Sequence, residues 1–239
     1  MEADQFRLFP VKRRKKLLAN ISDKIIELLF VIPCVLIALT VHEVAHGYMA
    51  FRLGDPTARN LGRLTLNPLK HLDPIGTLCM ILFHFGWAKP VPINSRYFKK
   101  PRRDMALTAA AGPLSNFIMA FLGALLYAIL YTVFVNLPAP TNFLGYLQIA
   151  ALQLLQYFHI LNLSLGMFNL IPVPPLDGSR IFLTFLPAKY YFGIMKYERY
   201  IQIGLMILLY LGLLSRPLSA LVSWLSSGMF KVISFLPFL

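Results

Sequence analysis

MALTAAAGPLSNFIMAFLGALLYAILYTVF, residues 105–134, opens a run that reaches Leu176 without a single Asp, Glu, Lys or Arg. Soluble domains carry about one charged residue in four, so this run cannot coat a water-soluble fold. A spanning helix needs roughly 20 apolar residues. The run therefore holds two helices, over about 113–135 and 146–170, parted by the proline-bearing turn NLPAPTN at 136–142.

The same character extends outward from it. The 239 residues are 57% hydrophobic and 14% charged, with mean hydropathy +0.64. The expected fold is an all-α polytopic membrane protein of four to six transmembrane helices, with a short re-entrant or strand-like segment near 57–86. A first long helix is expected over 25–53, ended by Gly54, Asp55 and Pro56. In 57–71, Leu61, Leu64 and Leu66 are interrupted by Gly62, Asn67 and Pro68, which reads as irregular or strand-like. PIGTLCMILFHFG at 74–86 is too short to span comfortably and reads as re-entrant. Residues 199–214 form a further apolar helix, and 217–237 suit either a span or the interface. Three parts follow: a basic surface segment at 1–24, a core at 25–185 and C-terminal membrane helices at 186–239.

The net charge of +13 does not point to nucleic acid. The bases cluster beside apolar segments, at Lys12–Lys16 and Lys89–Arg103, which reads as membrane topology and contact with anionic lipid. Cys34 and Cys79 both lie within apolar runs and show no metal or redox spacing. The basic, then apolar, N-terminus lacks a small-residue cleavage site and reads as retained.

HEVAHG at 42–47 ends the first apolar helix. His42 and His46, at i and i+4, share one helix face and can reach one ion. Glu43 beside them can take a proton from water. HExxH also arises by chance in helices, but two histidines and a glutamate closing an apolar helix are costly unless paired or functional. A catalytic zinc usually takes a third protein ligand. Of the ten acids, most precede the first helix, sit in turns such as Asp55 and Asp73, or, as Asp104 and Glu198 do, neighbour bases and read as solvated charges. Asp177 stands alone at the end of the uncharged run, after Pro172, Pro174 and Pro175 and before Gly178. Non-helical backbone at membrane depth is tolerated where it lines a cavity. His159, which shares a helical face with Asn162, Gly166 and Asn169, is the reserve candidate.

These stretches resemble the site-2 protease family of intramembrane zinc metalloproteases. HEVAHG matches that family's HExxH, NLIPVPPLDG at 169–178 its second motif, and AAGPLSN at 110–116 a looser third element. The likeness covers roughly residues 30–185. It implies one Zn2+ per chain held by His42, His46 and Asp177, with Glu43 as catalytic base. It further implies that Asn169 and Asn116 orient substrate or active-site backbone. Ser179 stands where many relatives have a second glycine, and the length leaves no room for a PDZ or CBS domain. The expected activity is endoproteolysis of single-span membrane proteins within the bilayer of a bacterial cell membrane. The competing expectations are a zinc protease with Glu198 as third ligand, an inactive relative that keeps the fold, and a transporter, against which the lack of internal repeats speaks.

One geometric requirement follows. HEVAH and Asp177 each close a helix, so those two helices must run in the same direction to meet at one depth. Segment 74–86 must then be re-entrant, with its basic flanks and the active site on the cytoplasmic side. The N-terminus lies outside, against its own seven bases. An edge strand near 61–67 is expected to pair with unwound substrate.

Overall fold

No residue between Val11 and Ile32 breaks a helix, and the stretch is rich in Lys, Arg and Leu, which favour one. In the computed structural model, which describes residues 11–73, 76, 89–136 and 143–236, helix α1 accordingly runs unbroken over Val11–Arg52, with Pro33 inside it. The described part of the basic N-terminal segment is thus the start of α1 and not a separate element. There follow α2 (Thr57–Asn60), α3 (Pro101–Val135), α4 (Phe143–Asn169), α5 (Asp177–Phe182), α6 (Ala188–Met195), α7 (Glu198–Tyr210) and α8 (Ser215–Ile233). Short 3-10 turns occupy Pro68–Lys70, Ser95–Tyr97 and Leu183–Phe185. No strand occurs among the described residues.

Segment 57–71 is therefore not strand-like. Asp55 accepts the Thr57 N–H just ahead of α2, Gly62 turns the chain at φ 63°, and Asn67 caps the next 3-10 turn through the Leu69 N–H. The edge strand expected at 61–67 is absent. Segment 74–86 lies, apart from Gly76, outside the described residues.

Among the described residues, three helices are long and apolar enough to cross a membrane: Ile26–Arg52 of α1, α3 and α4. A fourth crossing is available if α7 and α8, bent by 80° at their junction, act as one broken span. Leu114, Ile118, Leu122 and Leu126, spaced four apart on α3, are all exposed, as a lipid-facing stripe should be. Small residues line the opposite faces, as helix pairs in membranes require. A Cβ on Gly123 would lie 2.9 Å from the Phe158 ring, and one on Gly166 3.2 Å from the Pro113 carbonyl oxygen. The chain is an integral membrane protein.

The contacts fix helix directions. His46 meets Thr108, and His42 meets Asn116, so α1 and α3 are antiparallel. Asn116 meets Asn162, and His159 meets Ala120, so α3 and α4 are antiparallel too. Helices α1 and α4 therefore run the same way, as the meeting of their C-terminal ends demands. Helix α1 thus ends and α3 begins at the same end of the bundle. Helix α8 packs on α3 and α4 through Val222 against Ala120 and Leu163, and on α4 through a 2.9 Å bond between Ser226 Oγ and His159 Nε2.

Candidate metal centre

Helix α1 sets His42 and His46 one turn apart, both buried. The irregular stretch after α4 folds back and delivers Asp177 at the start of α5. Gly178 permits that fold, since a Cβ there would lie 2.3 Å from the Leu170 carbonyl oxygen. The result is a triangle of ligand atoms. His42 Nε2 and His46 Nε2 are 3.0 Å apart, and Asp177 Oδ2 is 3.1 Å from the first and 3.2 Å from the second. Atoms bound tetrahedrally to zinc at about 2.0–2.1 Å stand roughly 3.3 Å from one another, so the triangle fits that ion. It is the one group of three or more metal-ligating side chains among the described residues.

The hydrogen bonds behind the triangle decide its character. His46 Nδ1 lies 2.8 Å from the Thr108 carbonyl oxygen, which can only accept, so Nδ1 carries the proton. His42 Nδ1 lies 2.6 Å from Asn116 Oδ1. The orientation of that amide is set in turn, because Asn116 Nδ2 donates to the Ala38 carbonyl at 3.2 Å and to Asn162 Oδ1 at 3.0 Å. Asn162 Nδ2 donates to the Phe158 carbonyl at 2.9 Å, which fixes the end of the chain. Both neutral imidazoles thus aim a lone pair at Asp177 Oδ2, a buried atom with no hydrogen-bond partner. Three converging lone pairs in a low-dielectric site require a cation between them. A carboxylate that ligates a metal does so in its ionised form, as the imidazoles do in their neutral one.

Gly112 of α3 closes the cradle. A Cβ there would lie 2.4 Å from His46 Cε1 and Nε2 and 2.7 Å from His42 Cε1, so only glycine lets α3 lie against both rings.

The triangle opens on a cavity of about 190 Å³ that Glu43, Asn169 and Arg180 also line, roomy enough for several waters at about 30 Å³ each. Glu43 Oε2 accepts the Val91 N–H at 2.8 Å, which engages one carboxylate oxygen and leaves the second for another donor. Asn169 reaches the cavity while its Nδ2 donates to the Leu165 carbonyl. Asn116 does not line this cavity; it is fully buried and orients His42 and the backbone of Ala38. His159 is directed elsewhere, to the Ala120 carbonyl and Ser226, and His71 to the Thr65 carbonyl. Glu198 opens α7 and has no part in the cluster. Asp104 is not a solvated charge. It is buried and caps α3 by accepting the Lys100 N–H.

The family model described as peptidase family M50 matches residues 30–214, a span that contains every member of this centre. The chain belongs to peptidase family M50. "Putative zinc metalloprotease YwhC" of Bacillus subtilis is 40% identical over 198 residues, covering 82% of this chain and 84% of that protein. "Putative zinc metalloprotease Rip2" of Mycolicibacterium smegmatis is 31% identical over 150 residues, 60% of this chain and 52% of the relative. "Zinc metalloprotease MJ0392" of Methanocaldococcus jannaschii is 30% identical over 154 residues, 64% of this chain and 33% of the relative. No solved structure gives a significant match. This M50 member is a zinc metalloprotease, and the donor set of two imidazoles and a carboxylate suits zinc.

Thr108, Gly112, Val91 and Arg180 escape a reading of the sequence for ligands. Gly112 lies within AAGPLSN, and Arg180 follows Asp177 by three residues, on the same helical face. A main-chain carbonyl such as that of Thr108 leaves no signature at all. The support that Asn116 gives His42 is open to test. Asn116→Ala is expected to weaken zinc binding or activity by about 10–100-fold, the usual cost of losing a partner behind a ligand. A zinc titration against a competing chelator reads this directly. Unchanged affinity and activity would show that His42 needs no such partner.

Proposed function

We propose that this M50 metalloprotease is an intramembrane endopeptidase that cuts transmembrane segments of single-span membrane proteins. The observation that carries the reading is the position of the centre. The triangle of His42, His46 and Asp177, with Glu43 beside it, lies where α1, α3 and the end of α4, three helices long enough to span, come together. Residues His42, His46 and Asp177 would hold the zinc ion, which supplies Lewis-acid polarisation of the scissile carbonyl and lowers the pKa of the attacking water. Glu43 takes the proton from that water and returns it to the leaving amine. The Val91 N–H holds one oxygen of Glu43 while the other works. The cavity admits water to a depth at which lipid would otherwise exclude it.

The same reading puts the centre on the cytoplasmic side. Nine bases fall between Gly54 and Asp104, against seven before Ile25. Arg52, Arg59, Lys99, Lys100, Arg102 and Arg103 are exposed at the active-site end, while Asp55 and Asp104 are buried there. Anionic lipid and the positive-inside tendency favour that end facing the cytoplasm.

The test uses the full chain reconstituted in liposomes with a single-span substrate. Cleavage is expected inside the hydrophobic segment, as mapped by mass spectrometry of the products. It should stop with 1,10-phenanthroline and return when zinc is added back. Cleavage confined to soluble flanks would overturn the intramembrane reading, and cleavage indifferent to the chelator would overturn the metal.

A further inference from the structure

Residues 89–94, Lys-Pro-Val-Pro-Ile-Asn, form a strap along one wall of the catalytic cavity, which Pro90, Val91 and Ile93 line. Its fastenings are unusually dense for six residues without regular structure. The Lys89 N–H donates to the His71 carbonyl at 2.8 Å. Arg63 Nη2 donates to the Lys89 carbonyl at 2.8 Å and approaches that of Pro90 at 3.4 Å. The Asn94 N–H donates to Oδ2 of the fully buried Asp55 at 2.6 Å. Between these anchors, the Val91 N–H donates to Glu43 Oε2 at 2.8 Å.

The sequence is arranged around that last bond. Pro90 and Pro92 have no N–H, so Val91 is the single backbone donor in three residues. Proline at 92 also restricts Val91 to extended conformations. Gly47, one turn beyond Glu43 on the same face, seats the strap. A Cβ there would lie 3.0 Å from Val91 Cγ1 and 2.7 Å from Leu64 Cδ2. The glycine of HEVAHG thus serves the approach of the strap to α1, a role separate from the ligands that precede it.

We infer that the Val91 N–H is a positioning group for catalysis: the strap fixes the Glu43 carboxylate so that its second oxygen faces the attacking water. This rests on the reading of Glu43 as the base. A carboxylate on a three-bond side chain otherwise samples several rotamers, and a misplacement of about 1 Å can cost on the order of 100-fold in rate.

Val91→Pro removes the donor, keeps a buried apolar ring, and suits an extended residue already followed by proline. It is expected to lower kcat by about 10–100-fold with KM and zinc content unchanged. Val91→Ala, which keeps the N–H, should lose far less. Arg63→Met loosens the strap without touching Glu43 and should show the same loss confined to kcat, several-fold smaller. The inference is overturned if Val91→Pro loses no more kcat than Val91→Ala. Should Val91→Pro fail to retain zinc, wild-type kcat in Arg63→Met overturns it instead. Glu43→Gln measured alongside separates the two levels. An active Glu43→Gln sinks the base assignment, whereas an inactive one beside a fully active Val91→Pro sinks only the strap.

Discussion

Asp177→Ala is expected to purify as a folded chain with far less than one zinc ion and no measurable proteolysis. The wild type should carry about one. Removing the carboxylate leaves two imidazoles on one helix, whereas catalytic zinc sites use three protein ligands. It also removes the only negative charge in the triangle, so the ion loses both a bond and its compensating charge. The effect should appear as metal loss and not as unfolding. Asp177 is the first residue of α5, where an acid stabilises a helix by about 0.3–1 kcal/mol. That is small beside the packing of α1, α3 and α4. Metal analysis per chain, with circular dichroism as the check on fold, reads the result. Zinc retained at wild-type affinity would remove Asp177 from the ligand set. Neither His159 nor Glu198 could take its place without rearrangement, since His159 is committed to Ala120 and Ser226.

That the three side chains of the triangle could be singled out in the sequence has a physical reason. Ionisable groups in an apolar run are expensive, so each one that persists marks itself. Asp177 stood out because nothing charged precedes it back to Asp104, and HEVAH because it closes an apolar helix. The same logic yielded α3 and α4 and the parallel run of α1 with α4. It failed where backbone carries the structure. Asn116 could be noticed in AAGPLSN, but its work in holding the tautomer of His42 depends on Asn162 reaching it from α4, and no local pattern records that meeting. The Thr108 carbonyl and the Val91 N–H are invisible for the same reason.

Misreadings followed from judging residues by their neighbours in sequence. Asp104 sits among bases and looked solvated, yet it folds back onto the Lys100 N–H and is buried. Leu64 and Leu66 alternate as in a strand, but Gly62 at positive φ and Pro68 leave no straight run for a ladder. Alternation over so few residues cannot outweigh such breaks. The first helix was expected to start at Ile25 because charge marks where lipid ends. Helix formation does not stop there, and Lys and Arg continue α1 back to Val11.

Glu43→Gln is expected to separate proton transfer from metal binding, which Asp177→Ala cannot do. Glutamine has the size and shape of glutamate, and its side-chain oxygen can still accept the Val91 N–H that now meets Oε2 at 2.8 Å. The strap, the cavity and the three ligands should therefore stay in place, with zinc at about one per chain. An amide cannot accept the proton of the attacking water, and removing general-base catalysis costs about 10²–10⁴-fold in rate. Substrate binding makes no demand on that proton, so KM should change little and the loss should fall on kcat. A single-span substrate should then stay associated with the variant uncleaved and be recoverable with it from detergent. Metal analysis, cleavage rate and co-purification check the three parts separately. Loss of zinc in this variant would mean that Glu43 supports the ligand set. Full activity with zinc retained would mean that another group takes the proton. Arg180 cannot, because a guanidinium stays protonated. Asp177 cannot while it holds the metal. His42 and His46 hold the metal as well, which leaves no other carboxylate or imidazole lining the cavity among the described residues, so the predicted loss rests on the composition of the site itself.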